Sequence, residues 1–194
     1  MASNAAPTLV VLHGHGDEVG DAGRLADRLG LGWPVRTPEA PSGPDGVRSW
    51  FATSARGADP GSLELSRELV EAAVASCPDG DVVLVGFSQG AAMALSMGPV
   101  ERVSSVVAFN AFLPEGEGIE PSGGPAVLLV AGSEDETVPA FFSRDAAAAL
   151  SNAGRDVELQ VLPGGHAVSE VALESARGWL SERYPLEAGA MGDD

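Results

Sequence analysis

Three residue types that together activate a hydroxyl for attack occur along this chain in the order Ser88, Asp135, His166. Ser88 lies in GFSQG, directly after the apolar run DVVLVGF and before the helix-compatible AAMALSM, so G-x-S-x-G falls at a strand-to-helix turn. Such a turn strains the serine backbone, and side chains at Gly86 and Gly90 would collide where strand and helix approach. The hydroxyl is thereby lifted above the sheet edge. The helix that follows points free N–H groups and its positive end at any oxyanion formed there.

A serine hydroxyl is a weak nucleophile until a neighbouring base takes its proton, and that base needs a group to orient it. His166, in LPGGH, is the only histidine downstream of Ser88 and is therefore the candidate base. Three acids, Glu134, Asp135 and Glu136, follow the run AVLLVAG. Asp135 is preferred because Gly132 and Pro139 shape the turn G-x-x-D-x-x-V-P, where a short carboxylate can be held firmly. Either glutamate stays open as the partner, and so does a merely solvated acidic loop.

A second constellation competes. His13, His15 and Asp17 in HGHGD alternate as the first ligands of a zinc hydrolase would. The histidine expected after Asp17 and the further ligands of a dinuclear site are missing, and barrel metallohydrolases are typically about 250 residues long. No metal and no cofactor is expected.

The elements that would position these residues are legible as runs. TLVVLH (8–13), DVVLVGF (81–87), VSSVVAF (103–109) and AVLLVAG (126–132) are continuous rather than alternating, the pattern of strands covered on both faces. WPVRTP near 35 and DVELQVL (156–162) read as weaker strands toward the edges. Asp59 and Pro60 suit a helix start, with Leu65, Leu69, Ala72 and Ala73 expected on one face. Two more helices are expected, one from about Ala140 to Gly154 and one from near Ser169 that turns Ala172, Ala176, Trp179 and Leu180 inward. Strands alternating with helices predict an α/β fold, a mostly parallel sheet with helices on both faces and catalytic loops at the strands' carboxyl ends.

At 194 residues the chain fits one domain spanning 1–194, with an ordered core of about 8–184 and a frayed tail over 185–194. Its 28 acidic residues face only 11 basic ones, all arginine, for a formal charge of -17, so nucleic acid and other polyanions are excluded as natural partners. The missing lysines suit either a coding bias or solvation in high salt. The lone Cys77 excludes an internal disulfide and reads as a small buried thiol in a reducing compartment. MASNAAP has no positive charge and LVVL is too short for a signal or membrane span, so a cytoplasmic protein without stable membrane insertion is expected.

Taken in order, LHGHGDEVGD, APSGPDGVRSWF, GFSQGAAMAL, FNAFLP, GSEDETVP and LPGGH resemble the phospholipase/carboxylesterase family, the acyl-protein thioesterase-like α/β-hydrolases, from about Thr8 to Tyr184. Ser88, Asp135 and His166 also follow the chain order of α/β-hydrolase triads. The resemblance implies an α/β-hydrolase fold without a separate lid domain. It also implies that H-G-x-G-D is an oxyanion-hole loop, so that the backbone N–H groups of His15 and Gln89 pair as donors and His13 braces the loop. The departure is His15 itself, where the family often carries leucine or another nonpolar residue.

Trp50, Phe51, Phe109, Phe112 and Leu113 are expected to line an open cleft for short or medium acyl groups. The activity implied is a serine carboxylesterase acting on small-molecule esters, with lysophospholipids or acyl thioesters as alternative substrates of the same family. A dienelactone hydrolase-like enzyme is disfavoured, since Ser88 stands where those resemble this chain with cysteine. A ligand-binding protein that keeps the fold without turnover is the alternative of another class. A homodimer is left open.

Overall fold

The structure is a computed structural model that describes residues 6–43, 45–54, 57–114 and 123–185. The expected tail EAGAMGDD lies outside the described residues. Among the described residues six strands form one sheet: β1 (Thr8–Leu12), β2 (Val35–Arg36), β5 (Val82–Phe87), β6 (Val103–Phe109), β7 (Ala126–Gly132) and β8 (Val157–Leu162). A small hairpin, β3 (Thr53–Ser54) with β4 (Gly57–Ala58), stands apart from it. The spatial order is β2-β1-β5-β6-β7-β8, and every pairing in this sheet is parallel. The four continuous apolar runs occupy its centre, and the two weaker ones are its edges.

Among the described residues five helices cover the sheet: α1 (Val19–Leu29), α2 (Pro60–Ala75), α3 (Gln89–Ser96), α4 (Ala140–Asn152) and α5 (Glu170–Arg183). Alternate strand residues explain the two layers. Val10, Leu12, Leu84, Val106 and Leu129 pack with Leu63, Val70, Met93 and Leu150 from α2, α3 and α4. Leu9, Val11, Val85, Val107 and Val130 pack on the other face with Leu25 and Leu29 of α1 and with Leu173, Ala176 and Trp179 of α5. Burying each such Val or Leu contributes about 1.5–3 kcal/mol, which is why both strand faces must be apolar.

Helix punctuation acts locally. Asp59 accepts the Ser62 N–H at 2.8 Å with Pro60 next to it, Ser169 accepts from Ala172 N at 3.2 Å, and Gly154 turns the chain after α4 at φ 82°. The expected inner face of α2 is corrected. Leu65 and Leu69 are 51% and 38% exposed, whereas Leu63, Ser66, Val70 and Val74 are buried. Ser66 disguised that stripe: its hydroxyl donates to the Trp50 carbonyl, so a polar residue belongs to the buried face.

The chain runs from β1 outward to β2 and then returns to β5 on the other side of β1. Strand order therefore reverses between β1 and β5, and the crevice beyond their carboxyl ends is the natural place for a ligand.

Candidate active site

Ser88 sits at that crevice as the residue between β5 and α3, with φ 54° and ψ -118°. This is left-handed territory that a serine occupies only under constraint. The constraint is steric and local. A Cβ on Gly86 would lie 2.5 Å from the Ala91 backbone, and one on Gly90 would lie 2.4 Å from the carbonyl oxygens of Leu12 and His13. Helix α3 can reach β1 this closely only because both positions are glycine. The Ser88 N–H donates to Phe109 O at 2.9 Å, tying the turn to β6.

The other loops converge on it. His166 Nε2 lies 3.0 Å from Ser88 Oγ, and His166 Nδ1 lies 2.7 Å from Asp135 Oδ2. Gly132 permits this approach, because a Cβ there would meet the carbonyl of Gly164 at 2.4 Å. The Asp135 side chain is fully buried, while its alternatives Glu134 and Glu136 are exposed. Burial alone would push the Asp135 carboxyl up, but the hydrogen bond from His166 and the N–H groups of Val138 (2.8 Å) and Thr137 (2.9 Å) outweigh it. The net result is a carboxyl held below its ordinary range, and therefore an anion.

The glycine-rich loop after β1 is held by its histidine and aspartate. Ala40 N–H donates to His13 Nε2 at 3.2 Å, which leaves Nδ1 to donate to Gly14 O at 2.8 Å. The Asp17 carboxylate accepts from Gly14 N at 3.0 Å, and Gly16 at φ 77° donates to Arg48 O at 2.8 Å. Both His13 ring nitrogens and the Asp17 carboxylate are thus committed within the protein. Among the described residues no three His, Cys, Asp or Glu side chains gather as a metal site requires. The His15 side chain is exposed, and neither its N–H nor that of Gln89 has an acceptor among the described residues.

Cavities lined by described residues open around this end of the sheet. One of about 360 Å³ takes in His166, Phe87, Val168, Arg24 and Arg28, and one of about 510 Å³ takes in His15, Val47, Ser49 and Leu65. The third, about 420 Å³, is lined by Phe51, Phe112, Leu113, Val138 and Phe142. Trp50 is wholly buried, its Nε1 donating to His13 O at 2.8 Å, so it reaches only the floor of the His15 cavity. Phe109 is corrected: it points to the α1 and α5 side of the sheet, is fully buried with Val85 and Val130, and lines none of these cavities. As the last residue of β6, it alternates to the face away from Ala108 and the cleft.

Two side chains take part that the sequence did not announce. Gln89 Oε1 accepts from Trp50 N at 2.9 Å while Nε2 donates to Phe51 O at 2.8 Å. Asn110, buried at the end of β6, donates to Asp135 Oδ2 at 2.6 Å. Its one sequence signal was a residue tolerant of left-handed backbone directly after a strand, in FNAFLP.

Solved structures share this architecture. Esterase PE8 is 27% identical, with a TM-score of 0.74 over 92% of this chain and 93% of that one. The Bacillus cereus carboxylesterase (22%, TM-score 0.80, 93% and 90% covered) and Zea mays acyl-protein thioesterase 2 (23%, TM-score 0.78, 94% and 95% covered) share the fold. No curated protein matches the sequence. The fold is that of the α/β-hydrolases, a parallel sheet with helices on both faces. The phospholipase/carboxylesterase profile matches residues 55–183, and the chain belongs to that family of carboxylesterase- and thioesterase-type hydrolases.

Proposed function

We propose that the protein is a serine carboxylesterase, a single hydrolase domain that cleaves small carboxylic esters with short to medium acyl groups. The observation that carries this reading is the unbroken line Asp135 Oδ2, His166, Ser88 Oγ, with contacts of 2.7 and 3.0 Å. Ser88 Oγ attacks the acyl carbon as His166 Nε2 takes its proton, and Asp135 stabilises the resulting imidazolium. The free N–H groups of His15 and Gln89 receive the negative oxygen, each donor being worth about 10²–10³ in rate. As the tetrahedral intermediate collapses, the leaving alcohol takes the proton from Nε2. Water then attacks the acyl-enzyme, His166 accepts the water's proton, and the acid departs as that proton returns to Ser88 Oγ.

The apolar cavity lined by Phe51, Phe112, Leu113, Val138 and Phe142 suits the acyl group. The more polar one beside His166 faces the leaving alcohol. No cofactor enters these steps. No described helix is long and apolar enough to cross a membrane, and the protein is read as cytoplasmic.

The test is fluorophosphonate labelling in excess EDTA, with the modified residue mapped by mass spectrometry. Covalent mass on Ser88, together with hydrolysis of p-nitrophenyl esters lost in Ser88→Ala, is the expected result. Folded protein that neither labels nor turns over esters would make it a binding protein on a hydrolase fold. Hydrolysis appearing only on restoring zinc would move the chemistry to His13, His15 and Asp17.

A further inference from the structure

Asn110 ties the acid's loop to the base's loop with a single amide. Its backbone takes φ 49° and donates to Val130 O of β7 at 2.8 Å, and the residue is only 3% exposed. From there Nδ2 donates to Asp135 Oδ2 at 2.6 Å and to Gly165 O at 3.1 Å. The carboxylate oxygen is the same one that meets His166 Nδ1, and Gly165 is the residue directly before His166.

We propose that Asn110 is a positioning residue for the Ser88, His166 and Asp135 triad, acting by bridging Asp135 and the Gly165 carbonyl. This rests on the serine-esterase reading above. The residue type follows from two independent demands. A left-handed backbone at the strand end favours Gly, Asn or Asp at the position. Two acceptors on opposite sides require two N–H hydrogens on one short side chain, which of these three only asparagine carries.

The consequences are geometric and electrostatic. The bond to Gly165 O fixes the backbone that carries His166, so the ring faces Ser88 and Asp135 at once. With Thr137 N, Val138 N and His166, the bond to Oδ2 completes four donors around a fully buried carboxylate. The charged groups facing the imidazole are Asp135 and, around the cavity beside the ring, Asp17, Asp21, Arg24 and Arg28. Asn110 itself is neutral and reaches the imidazole through Asp135 and the Gly165 backbone.

The experiment compares Asn110→Gly, which keeps the left-handed backbone and removes the amide, with Asn110→Asp, which keeps the shape and replaces donors with a carboxylate. Rates of p-nitrophenyl acetate hydrolysis are followed from pH 5 to 9, with circular dichroism to establish folding and Ser88→Ala as the control. Asn110→Gly should lower kcat about ten- to a hundredfold, as displacement of a reacting group by about 1 Å does, with KM changed less than about threefold. Asn110→Asp should lower kcat and alter the acid limb of kcat/KM, because two buried carboxyls this close share one proton and the raised second ionisation of the pair adds a new titration. Either variant, folded and keeping the wild-type kcat and acid limb, overturns the positioning role. Turnover surviving in Ser88→Ala overturns the serine-esterase reading instead, so the two failures are told apart.

Discussion

Gln89 Oε1 accepts the backbone N–H of Trp50 at 2.9 Å, so the residue immediately after Ser88 also carries the loop that walls the cleft. Its Nε2 donates to Phe51 O at 2.8 Å and contacts Ser49 Oγ at 3.1 Å. On the proposed esterase mechanism, one residue therefore offers its main chain to the oxyanion position and its side chain to the substrate wall. Gln89→Ala leaves the buried Trp50 N–H without a partner, while Phe51 O keeps only the Ser49 hydroxyl at 2.8 Å, and the loss costs about 1–3 kcal/mol. Urea unfolding should show that loss. Ester kinetics should show KM rising more than kcat falls, because the backbone N–H survives while the Phe51 wall loosens. An unchanged KM for longer acyl esters would separate this loop from substrate binding.

Glycines in this chain serve opposite ends, and alanine substitution separates them. Gly90→Ala sets a Cβ 2.4 Å from two backbone carbonyl oxygens that no rotamer change can move aside. Destabilisation of about 3 kcal/mol or more is expected, seen as loss of soluble expression or a steep fall in Tm. Gly23 in α1 and Gly178 in α5 meet nothing within 4 Å and have no left-handed φ, so alanine there should stabilise by about 0.5–1 kcal/mol each. Thermal unfolding of the three variants gives the comparison directly.

The contrast between Ser88 and Asn110 explains what the sequence could and could not reveal. The elbow around Ser88 is a local object: a strand, two glycines and a helix adjacent in the chain create its constraint. The central strands were legible for a similar reason, since burial on both faces leaves an uninterrupted apolar run. Asn110 acquires meaning only when residues 110, 135 and 165 meet in space, and nothing in the spacing of FNAFLP signals its partners. Phe109 was misread because an aromatic beside a catalytic strand end can face either side of the sheet, and only register decides which. Helix α2 was turned the wrong way because Ser66 sits on its buried stripe.

The loop HGHGD separates its two histidines by role. His15 is exposed, and on the proposed mechanism only its backbone N–H is used, so His15→Leu should leave turnover within about tenfold of wild type. His13 accepts from Ala40 N, donates to Gly14 O and stacks at a tilt 5.2 Å from Trp50, so His13→Ala strands a buried N–H and unfastens the loop. Destabilisation of about 1–3 kcal/mol and a fall in kcat larger than that of His15→Leu are expected. Initial rates and urea unfolding of both variants provide the check. The opposite ranking, with His15→Leu inactive but folded, would assign catalysis or substrate contact to its imidazole.

Asp135 makes part of the protein's stability depend on acid. Its folded carboxyl is lowered from the ordinary 3.8: burial opposes ionisation, while His166 and the Val138 and Thr137 N–H groups favour it more. A carboxyl lowered on folding contributes stability that is complete above its unfolded pKa and disappears as pH falls through the folded value. Asp135→Asn removes this ionisation. The stability gap between wild type and Asp135→Asn should therefore be constant above about pH 5 and shrink progressively below about pH 4. Urea unfolding of both proteins between pH 3 and 7 measures that gap. A gap that stays flat down to pH 3 would mean that the four donors around Asp135 hold its position without favouring its charge.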